Sequence, residues 1–326
     1  MGRPITVVVG PLATADPDGA AAIQTVPAAA YMALNGALTN GATANNVCAS
    51  QTPAGAGNLV LNGTLASSVS GAAVAYLGSN QRIYFTSASN ISNRTFTITG
   101  MVMSPSGLQG QTEVLTGPNN NTVASQQRYY WISQIAISGA AAGALTVGRA
   151  GFATFDQQRR VSIVSSADDT DITFTITGTD GTGAAITEVR AGLDNSTQTS
   201  LLSFKTITDV LTSGASSGTV TIGSSAVADS PYVRFDDYAA NAQVAIQCTV
   251  SGTVNFDVEQ TMDDPNIIGG PITPANMTWL NHPDSALANA TATAQGNYAY
   301  PPIFARVTLN SGTGSVTGTF RQAYLA

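Results

Sequence analysis

Hydrophobic residues alternate with threonine along much of this chain. Residues 95–99 read Thr-Phe-Thr-Ile-Thr, and residues 173–177 repeat that string without change. A period of two residues is typical of a β-strand with one buried face. The pattern therefore predicts strands in which Phe96 and Ile98 point into a core, while the threonines face solvent or a neighbouring chain.

The repeated strand belongs to a longer internal duplication. Residues 82–100 align without a gap on residues 160–178, at an offset of 78, and share eight of 19 residues with them. The offset then falls to 75, because the connection 101–111 is three residues longer than its counterpart 179–186. Such a difference is expected in a surface loop. The segments matched at an offset of 75 include Thr112-Glu113-Val114 with Thr187-Glu188-Val189, Gly117 with Gly192, and Thr146-Val147-Gly148 with Thr221-Ile222-Gly223.

The strand pattern continues to the C-terminus. Apolar residues alternate over 244–250 and again over 254–258, with the short turn Ser251-Gly252 between them. The same pattern flanks the glycine-rich turn 310–314, and we interpret both pairs of strands as hairpins. The segment 262–302 is polar and interrupted by prolines, so it is predicted to form ordered loops and is a candidate subunit contact.

These observations predict an all-β fold. It consists of tandem small antiparallel β-sandwich domains, related by the duplication, and a C-terminal β-sandwich or jelly-roll-like domain. One helix is predicted over residues 27–34, because Pro27 lies in its first turn and Gly36 follows it. An N-terminal arm is expected to reach a neighbouring subunit. The predicted boundaries are 1–47 for the arm, 48–143 for the first sandwich, 144–218 for the second and 219–326 for the C-terminal domain.

The composition excludes several classes of protein. Of 326 residues only 10% are charged, with a single lysine and three glutamates, whereas 43% are hydrophobic. Soluble domains carry about 25% charged residues, and disordered chains are poor in hydrophobic ones. No run of about 20 apolar residues is present to span a membrane. The net charge of −7 argues against binding to nucleic acid, which needs a cationic surface.

The two cysteines do not form a sequence motif. Cys48 and Cys248 lie 200 positions apart, so they do not match the short spacings of metal-binding cysteines. We interpret them as two buried free thiols, and the sequence leaves open whether they pair.

The ionisable residues do not favour catalysis. His282 is the only histidine, and no Gly-x-Ser-x-Gly segment is present to hold a nucleophile. We interpret it as a loop histidine that is hydrogen-bonded to the backbone. Glu113 and Glu188 occupy matching positions of the duplication, which argues for a structural role in each copy. A glycosidase that uses aspartates is the enzymatic alternative. We therefore predict that the chain is not an enzyme and has no catalytic residues, metal ligands or cofactor.

The densest group of carboxylates is Asp168-Asp169-Thr170-Asp171. A calcium site built from loop carboxylates is one interpretation. The matching segment of the first copy, Asn90-Ile91-Ser92-Asn93, carries amides at two of those positions, and Asx side chains cap turns in either form. We therefore interpret these residues as turn residues, and we interpret Asp236-Asp237 and Asp263-Asp264 in the same way.

Several strings in the chain resemble β-rich virion structural proteins of tailed bacteriophages. The resemblance covers about residues 50–326 and implies a particle component without catalytic residues. The strings that carry it are TFTITG with a downstream Thr-Glu-Val, FKTITDV, SGASSGTVTIG, VAIQCTVSGTVNFDVEQTMDDP, TWLNHP, GNYAYPP and ARVTLNSGTGSVTGTF.

The composition is consistent with permanent assembly. Burying Thr, Ser or Ala at an interface loses little side-chain entropy, whereas burying Lys or Glu costs up to about 2 kcal/mol. The main hypothesis is a capsid decoration (cement) or outer-shell protein that stabilises a bacteriophage particle through protein–protein contacts. The alternatives are a neck or tail structural protein, and a receptor- or glycan-binding adhesin module of a fibre or spike.

The hypothesis names partners and a location. The expected partners are phage capsid or other virion proteins and further copies of this chain, with a trimer as one arrangement. Neither nucleic acid nor membrane is an expected partner. The expected location is the virion, assembled in the cytoplasm of the bacterial host.

Overall fold

The computed structural model describes residues 4–26, 28–40, 43–236, 243–268, 270 and 272–323. These residues form antiparallel β-strands and two single-turn 3-10 helices, which confirms the all-β prediction. Among them, no helix has the length and apolar character that crossing a bilayer would need.

The strands are numbered in chain order. Those of the first half are β1 (Ile5–Val9), β2 (Ala21–Gln24), β3 (Thr39–Asn40), β4 (Thr43–Gln51), β5 (Gly57–Asn58), β6 (Ala66–Val69), β7 (Ala72–Gln81), β8 (Ile83–Ser87), β9 (Thr95–Ser104), β10 (Gly107–Thr116), β11 (Thr122–Ala124), β12 (Tyr129–Ile137) and β13 (Leu145–Arg149). Those of the second half are β14 (Phe152–Ser165), β15 (Thr173–Thr179), β16 (Ala185–Ala191), β17 (Thr197–Thr212), β18 (Val220–Asp229), β19 (Val233–Arg234), β20 (Gln243–Ser251), β21 (Val254–Thr261), β22 (Leu280–Asn281), β23 (Ala294–Tyr298), β24 (Phe304–Gly312) and β25 (Ser315–Ala323). The 3-10 helices span Pro274–Asn276 and Ser285–Leu287.

The first unit, residues 43–149, is a two-layer sandwich. One sheet has the order β10-β9-β12-β7-β6, with β5 paired to β12, and the other has the order β11-β8-β13-β4. Phe85 of one sheet and Phe96 of the other have ring centroids 4.7 Å apart, within a core of buried apolar side chains. Phe96 and Ile98 are both fully buried, so the alternation along β9 predicts its buried face correctly.

The second unit, residues 150–226 together with 19–40, builds the same kind of core on longer strands. Its sheet has the order β16-β15-β17-β14-β18, and β2 and β3 pair with β18 and β14. At the offsets found in the sequence, β14 corresponds to β7 and β8 joined, and β17 corresponds to β11 and β12 joined. Phe174 and Ile176 are fully buried, as their counterparts are in the first unit.

The two units share the same irregularity in strand pairing. β9 and β12 change register beside Gly100, and β15 and β17 change register beside the matching Gly178. A Cβ at Gly100 would lie 2.3 Å from the carbonyl oxygen of Trp131, and one at Gly178 would lie 1.9 Å from that of Thr206. Trp131 and Thr206 also match at an offset of 75. The glycine that ends each TFTITG string is therefore required by the close approach of the neighbouring strand.

The third unit, residues 227–323 with 4–12, is a sandwich of β1-β25-β20-β23 against β18-β24-β21-β22. β18 runs out of the second unit and pairs with β24, where Ala228 lies opposite Leu309. The second and third units therefore share one continuous sheet.

The two turns predicted to close hairpins connect strands that are not paired. The turn Ser251-Gly252 leads from β20 in one sheet to β21 in the facing sheet, and the turn at 310–314 leads from β24 to β25 in the same way. The pairing partners are β20 with β25 and β21 with β24. The hairpin prediction is wrong, because alternation identifies the buried face of a strand but not the strand beside it.

The N-terminal segment does not form an arm that leaves the molecule. β1 pairs with β25, β2 with β18 and β3 with β14. Val9 is buried in the core of the third unit, and Ala20, Met32 and Leu34 are buried in that of the second. The described part of the segment therefore completes two of the chain's own sandwiches.

The predicted helix over residues 27–34 is also wrong, although Pro27 itself lies outside the described residues. Tyr31 forms an isolated bridge with Leu211, and the Met32 amide donates to the Val210 carbonyl at 2.8 Å. Because this segment takes its hydrogen bonds from β17, tertiary pairing overrides the local helical preference.

The buried cores place the unit boundaries later than the predicted positions 144 and 219. Leu145 and Val147 of β13 lie in the first core, and Val220 and Ile222 of β18 lie in the second. Each predicted boundary therefore separates one strand from the unit whose core it completes.

Cys48 and Cys248 are both buried and both free, as predicted. Burial raises the pKa of each thiol to about 12, so neither is a thiolate at neutral pH.

We predict that Phe96→Ala and Phe174→Ala each lower the free energy of unfolding by roughly 3–5 kcal/mol, because each leaves a cavity in a fully packed core. Chemical denaturation monitored by circular dichroism measures both. Val189→Ala is the control, since Val189 is 60% exposed. An unchanged unfolding midpoint for either phenylalanine variant would show that the assigned strand face is wrong.

Candidate functional site

His282 is a buried residue of the turn that follows β22. Its Nδ1 accepts a hydrogen bond from the Asp284 amide at 3.0 Å, and its ring centroid lies 4.7 Å from that of Tyr298. The Asp284 carboxylate accepts from the Ala286 amide and so caps the helix that follows. Burial lowers the pKa of His282, which keeps the imidazole neutral at neutral pH. In the described part of the chain, no hydroxyl or thiol is hydrogen-bonded to this ring.

The matching glutamates of the duplication bind matching backbone amides. The two carboxylate oxygens of Glu113 accept from the amides of residues 126 and 127, at 2.5 and 2.9 Å. Those of Glu188 accept from the amides of residues 201 and 202, both at 2.7 Å. Each carboxylate satisfies two backbone donors where the chain passes from one face of the sandwich to the other. This geometry gives both glutamates a structural task.

Asp168 and its counterpart Asn90 cap the same turn. The Asp168 carboxylate accepts from the amide and the hydroxyl of Thr170, at 3.1 and 2.6 Å. The side-chain oxygen Oδ1 of Asn90 accepts from the amide and the hydroxyl of Ser92, at 3.0 and 2.8 Å. A carboxylate in one copy and a side-chain amide in the other therefore accept the same two hydrogen bonds and cap the same turn.

Other aspartates named from the sequence also bind the backbone. Asp263 accepts from the Thr278 amide at 2.6 Å, and Asp264 accepts from the Asn266 amide at 2.9 Å; Asp237 lies outside the described residues. Over the described ranges, no three His, Cys, Asp or Glu side chains lie close enough together to hold a metal ion.

The junction between the first and second units contains a buried ionic cluster. Asp209 of the second unit lies between Arg82 and Arg128 of the first, with Arg82 Nε 2.7 Å from one carboxylate oxygen and Arg128 in contact with the other. Arg82 also donates to the Ser125 carbonyl at 3.1 Å, and its guanidinium stacks on the Tyr31 ring.

The junction between the second and third units contains another such cluster. The buried carboxylate of Asp229 lies 3.2 Å from Nη1 of Arg306 and 3.5 Å from Nη2 of Arg160. It also accepts from the hydroxyls of Ser203 and Thr308, at 2.7 and 2.8 Å. Burial raises the pKa of Asp229, but the two guanidinium groups and the two hydroxyls outweigh it, and the net shift is downward.

An arginine at the same position of the duplication forms an ion pair at each junction. Arg82 and Arg160 match at an offset of 78, and each binds the carboxylate at the C-terminal junction of its own unit. The third glutamate, Glu259, extends the second cluster, since Arg306 Nε donates to it at 2.7 Å. No local motif in the sequence marks these residues, and the signal that the sequence does carry is the alignment of the two arginines.

Two of the sheet edges in the described part of the chain occupy matching positions of the duplication. β10 and β16 end their sheets at matching positions, and neither shows a bulge along its single partner strand. We call β10 and β16 the open edges. In native proteins such edges are usually protected by lysine, proline or bulges, and neither strand contains lysine or proline.

The few charges on the open edges face their own unit. Glu113 and Glu188 are buried against backbone amides, and Arg190 Nε lies 3.6 Å from the Glu188 carboxylate. In the part of the chain that the structure describes, β10 and β16 each pair with a single strand, and they carry little charge to repel another one. The 3-10 helix Pro274–Asn276 lies close to β16.

An apolar groove lies beside the first open edge. Its volume is about 260 Å³, which is room for two or three apolar side chains. It is lined mainly by small and apolar groups, including Val26, Tyr31, Val114, Leu115, Val123 and Ala124.

No protein-family model matches the chain, and no curated protein matches it. Among solved structures, one chain from the atomic structure of Sulfolobus turreted icosahedral virus aligns at 12% identity. The alignment covers 85% of this chain and 91% of that chain, with a TM-score of 0.13. An alignment with that TM-score does not establish a shared fold.

We predict that Glu188→Gln and Glu113→Gln each cost about 1–3 kcal/mol of stability, because the amide NH2 group would face a backbone donor and leave it unsatisfied. Urea denaturation measures both variants. The reverse change at an exposed position of β10, Gln109→Glu, is the control and should stay within about 0.5 kcal/mol. Equal unfolding midpoints for wild type and Glu188→Gln would contradict the assigned role.

We predict that Asp229→Asn costs about 3–5 kcal/mol at neutral pH, because it removes the counter-charge of the Arg160 guanidinium and one of the two counter-charges of Arg306, which keeps Glu259. The pKa of Asp229 is lowered from 3.8 in the folded state, so its stabilisation is present above about pH 4 and is lost as the pH falls below that value. Stability measured between pH 7 and pH 3 should therefore fall less steeply in the variant. Parallel pH profiles for the two proteins would rule out this coupling.

Proposed function

We propose that this protein is a structural component of a virus particle, specifically a decoration protein that binds the outside of the shell and stabilises it. The observation that carries the proposal is the pair of matching open edges, which lack the usual protection against strand addition. A free monomer with such edges is prone to uncontrolled strand pairing with other chains. In a permanent assembly, the same edges serve as binding sites.

The sequence supports the same proposal. The strings of the repeat and of the C-terminal unit resemble virion structural proteins of tailed bacteriophages. The surface is poor in long charged side chains, with one lysine and three glutamates in 326 residues, and therefore loses little side-chain entropy when it is buried. We expect no catalytic activity from this chain.

Binding by strand addition explains how such a surface recognises a partner. An extended segment of the shell that pairs with β10 or β16 gains backbone hydrogen bonds, and side-chain pockets beside the edge supply the specificity. The groove beside β10 is such a pocket. The ionic clusters hold the units together, so the open edges keep a fixed separation and bind a repeating shell as a bivalent ligand.

Quantitative mass spectrometry of purified particles tests the proposal. A decoration protein is present in a number comparable to that of the shell protein, and it stays with the heads when heads and tails are separated. A handful of copies per particle, or copies that follow the tails, would exclude the decoration role in favour of a neck or tail role. Absence from particles would reject a structural function in the virion altogether.

We predict that Val114→Lys and Val189→Lys each weaken binding to particles that lack the protein by at least about tenfold, and that together they weaken it by at least about a hundredfold. These matching residues of the open edges are 65% and 60% exposed, so the lysines are tolerated by the fold but oppose an added strand. Co-sedimentation with particles measures the binding. Ile268→Lys, at a residue that is 99% exposed and belongs to neither β10 nor β16, is the control. Equal binding by all variants would show that the edges are not the docking sites.

A further inference from the structure

One outer face of the first unit carries a row of four residues that the second unit lacks. Gly110 of β10, Met101 of β9, Trp131 of β12 and Tyr76 of β7 lie side by side in direct register across four neighbouring strands. We call these four residues the aromatic row. Because successive strands are about 4.8 Å apart, the row spans about 14 Å.

The second unit shows what the fold itself requires at these positions. The matching residues are Ala185, Thr179, Thr206 and Thr154, and they are paired in the same order. The hydroxyls of Thr179 and Thr206 lie 2.7 Å apart and form a hydrogen bond. Since three threonines and an alanine occupy the same places in the same register, the sandwich does not need methionine, tryptophan and tyrosine there.

The surroundings of the aromatic row are apolar and uncharged. Tyr76 is 44% exposed, and the ring of Tyr130 packs edge-on against it at 5.0 Å between centroids. In the next row, Met103 and Leu108 lie opposite each other and are 41% and 46% exposed. Tyrosine, tryptophan and methionine are enriched at protein–protein interfaces, whereas charged residues are depleted from interface cores. The composition of this face therefore fits a protein partner.

The extra length of the first copy extends this surface. The β9–β10 hairpin is longer than the β15–β16 hairpin, and its added residues include Met103 and Leu108. Asn80 holds the extension in place, because its side chain donates to the Met103 carbonyl at 2.6 Å and accepts from the Met103 amide at 2.8 Å. The face is therefore ordered before any partner binds.

Gly110 has no explanation within a single chain. A Cβ built on it would meet nothing within 4 Å, and its backbone is not in the left-handed region that favours glycine. Glycine within a strand is less favourable than alanine, and it often marks a place where another molecule approaches closely. The empty end of the aromatic row is therefore a place for a group from outside the chain.

We propose that the aromatic row binds the same row of a second copy of this chain in a two-fold contact. Side-chain size differs between the two ends of the row, with no side chain at Gly110 and a large aromatic ring at Tyr76. A two-fold axis between Met101 and Trp131 places the tyrosine of each copy over the glycine of the other, and each tryptophan over the partner's methionine. The Tyr76 ring of each copy thus fills the space above Gly110 of the other. The Met101 sulfur meets the partner's tryptophan ring, which is a favourable contact.

Electrostatics allow this occupant at an uncharged face, although the like net charges of two copies repel. Each copy has a net charge of −7, so two copies associate best through a face without charge, and none of the residues of this face is ionised at neutral pH. A contact that uses the same patch on both partners closes on itself as a dimer. The contact lies on the face of the sheet, while the open edges lie in its plane, so the two binding modes are compatible. The inference goes beyond the proposed function and does not depend on it.

Sedimentation velocity of the full chain over a range of concentrations tests the contact. The wild type is expected to be a dimer. The triple variant Tyr76→Thr, Met101→Thr, Trp131→Thr gives the first unit the residues of the second, so it should fold normally and bind its copy at least about a hundredfold more weakly. Gly110→Phe adds a ring at a position whose Cβ meets nothing in its own chain, and it should also give monomers. Val189→Thr, on the second unit, is the matched control and should remain dimeric.

Cross-linking tests the geometry. Gly110→Cys and Tyr76→Cys, mixed in equal amounts and treated with a bis-maleimide that spans about 10 Å, the separation of two stacked sheets, should give a cross-link between two chains, and each variant alone should give far less. In a dimer of either single variant the two introduced thiols would lie at least about 14 Å apart, beyond the reach of that linker, and the native thiols are buried. Equal cross-linking in the mixture and in the single variants would overturn the proposed arrangement.

Two further results would overturn the proposal. One is a wild type that is monomeric at every concentration. The other is a dimer that survives both the triple substitution and Gly110→Phe. If the wild type is monomeric but the row variants fail to bind particles, the face docks on the shell; the second-copy contact is then wrong while the decoration function stands. A dimer that breaks as expected, in a protein absent from particles, would support the contact and reject the function.

Discussion

Every strand has two rows of backbone hydrogen-bonding groups, and buried groups of this kind must find partners. This constraint organises the chain. The N-terminal segment lends β1, β2 and β3 to three strands that lie far away in sequence, and β18 joins the second and third units into one sheet. Among the described strands, β10 and β16 lie at matching ends of two sheets, and each pairs with one neighbour. The proposed function follows from these two strands, because an unprotected edge is a binding site for another strand.

The two copies of the repeat have kept their internal contacts and have diverged on their surfaces. Glu113 and Glu188 bind matching pairs of backbone amides in their own units. Arg82 and Arg160 each bind a carboxylate at the C-terminal junction of their own unit. The aromatic row and its threonine-rich counterpart show the opposite behaviour, with the same register and different side chains. Residues that are the same in both copies stabilise the sandwich. Residues of the first copy that differ from their counterparts in the second are not needed for the fold and are candidates for binding a partner.

The sequence predicts strands and buried faces well, because alternation directly reflects burial on one side of a sheet. Phe96, Phe174 and the apolar face of β20 lie where the pattern places them. Pairing is not encoded in that pattern, so the turns at 251–252 and 310–314 predict hairpins that the structure does not form. β23, whose alternation is weak, is not predicted. The ionic clusters and the aromatic row depend on register between distant strands, and for the same reason no local motif announces them. The predicted helix at 27–34 failed because its hydrogen bonds come from β17.

A reconstruction of the intact particle by electron cryomicroscopy tests the central claim most directly. The account predicts density for all three units on the outer surface of the shell, with a shell strand hydrogen-bonded along β10 or β16. Particles whose outer surface has no density for this chain, or in which both open edges face solvent while other surfaces make the contacts, would contradict it.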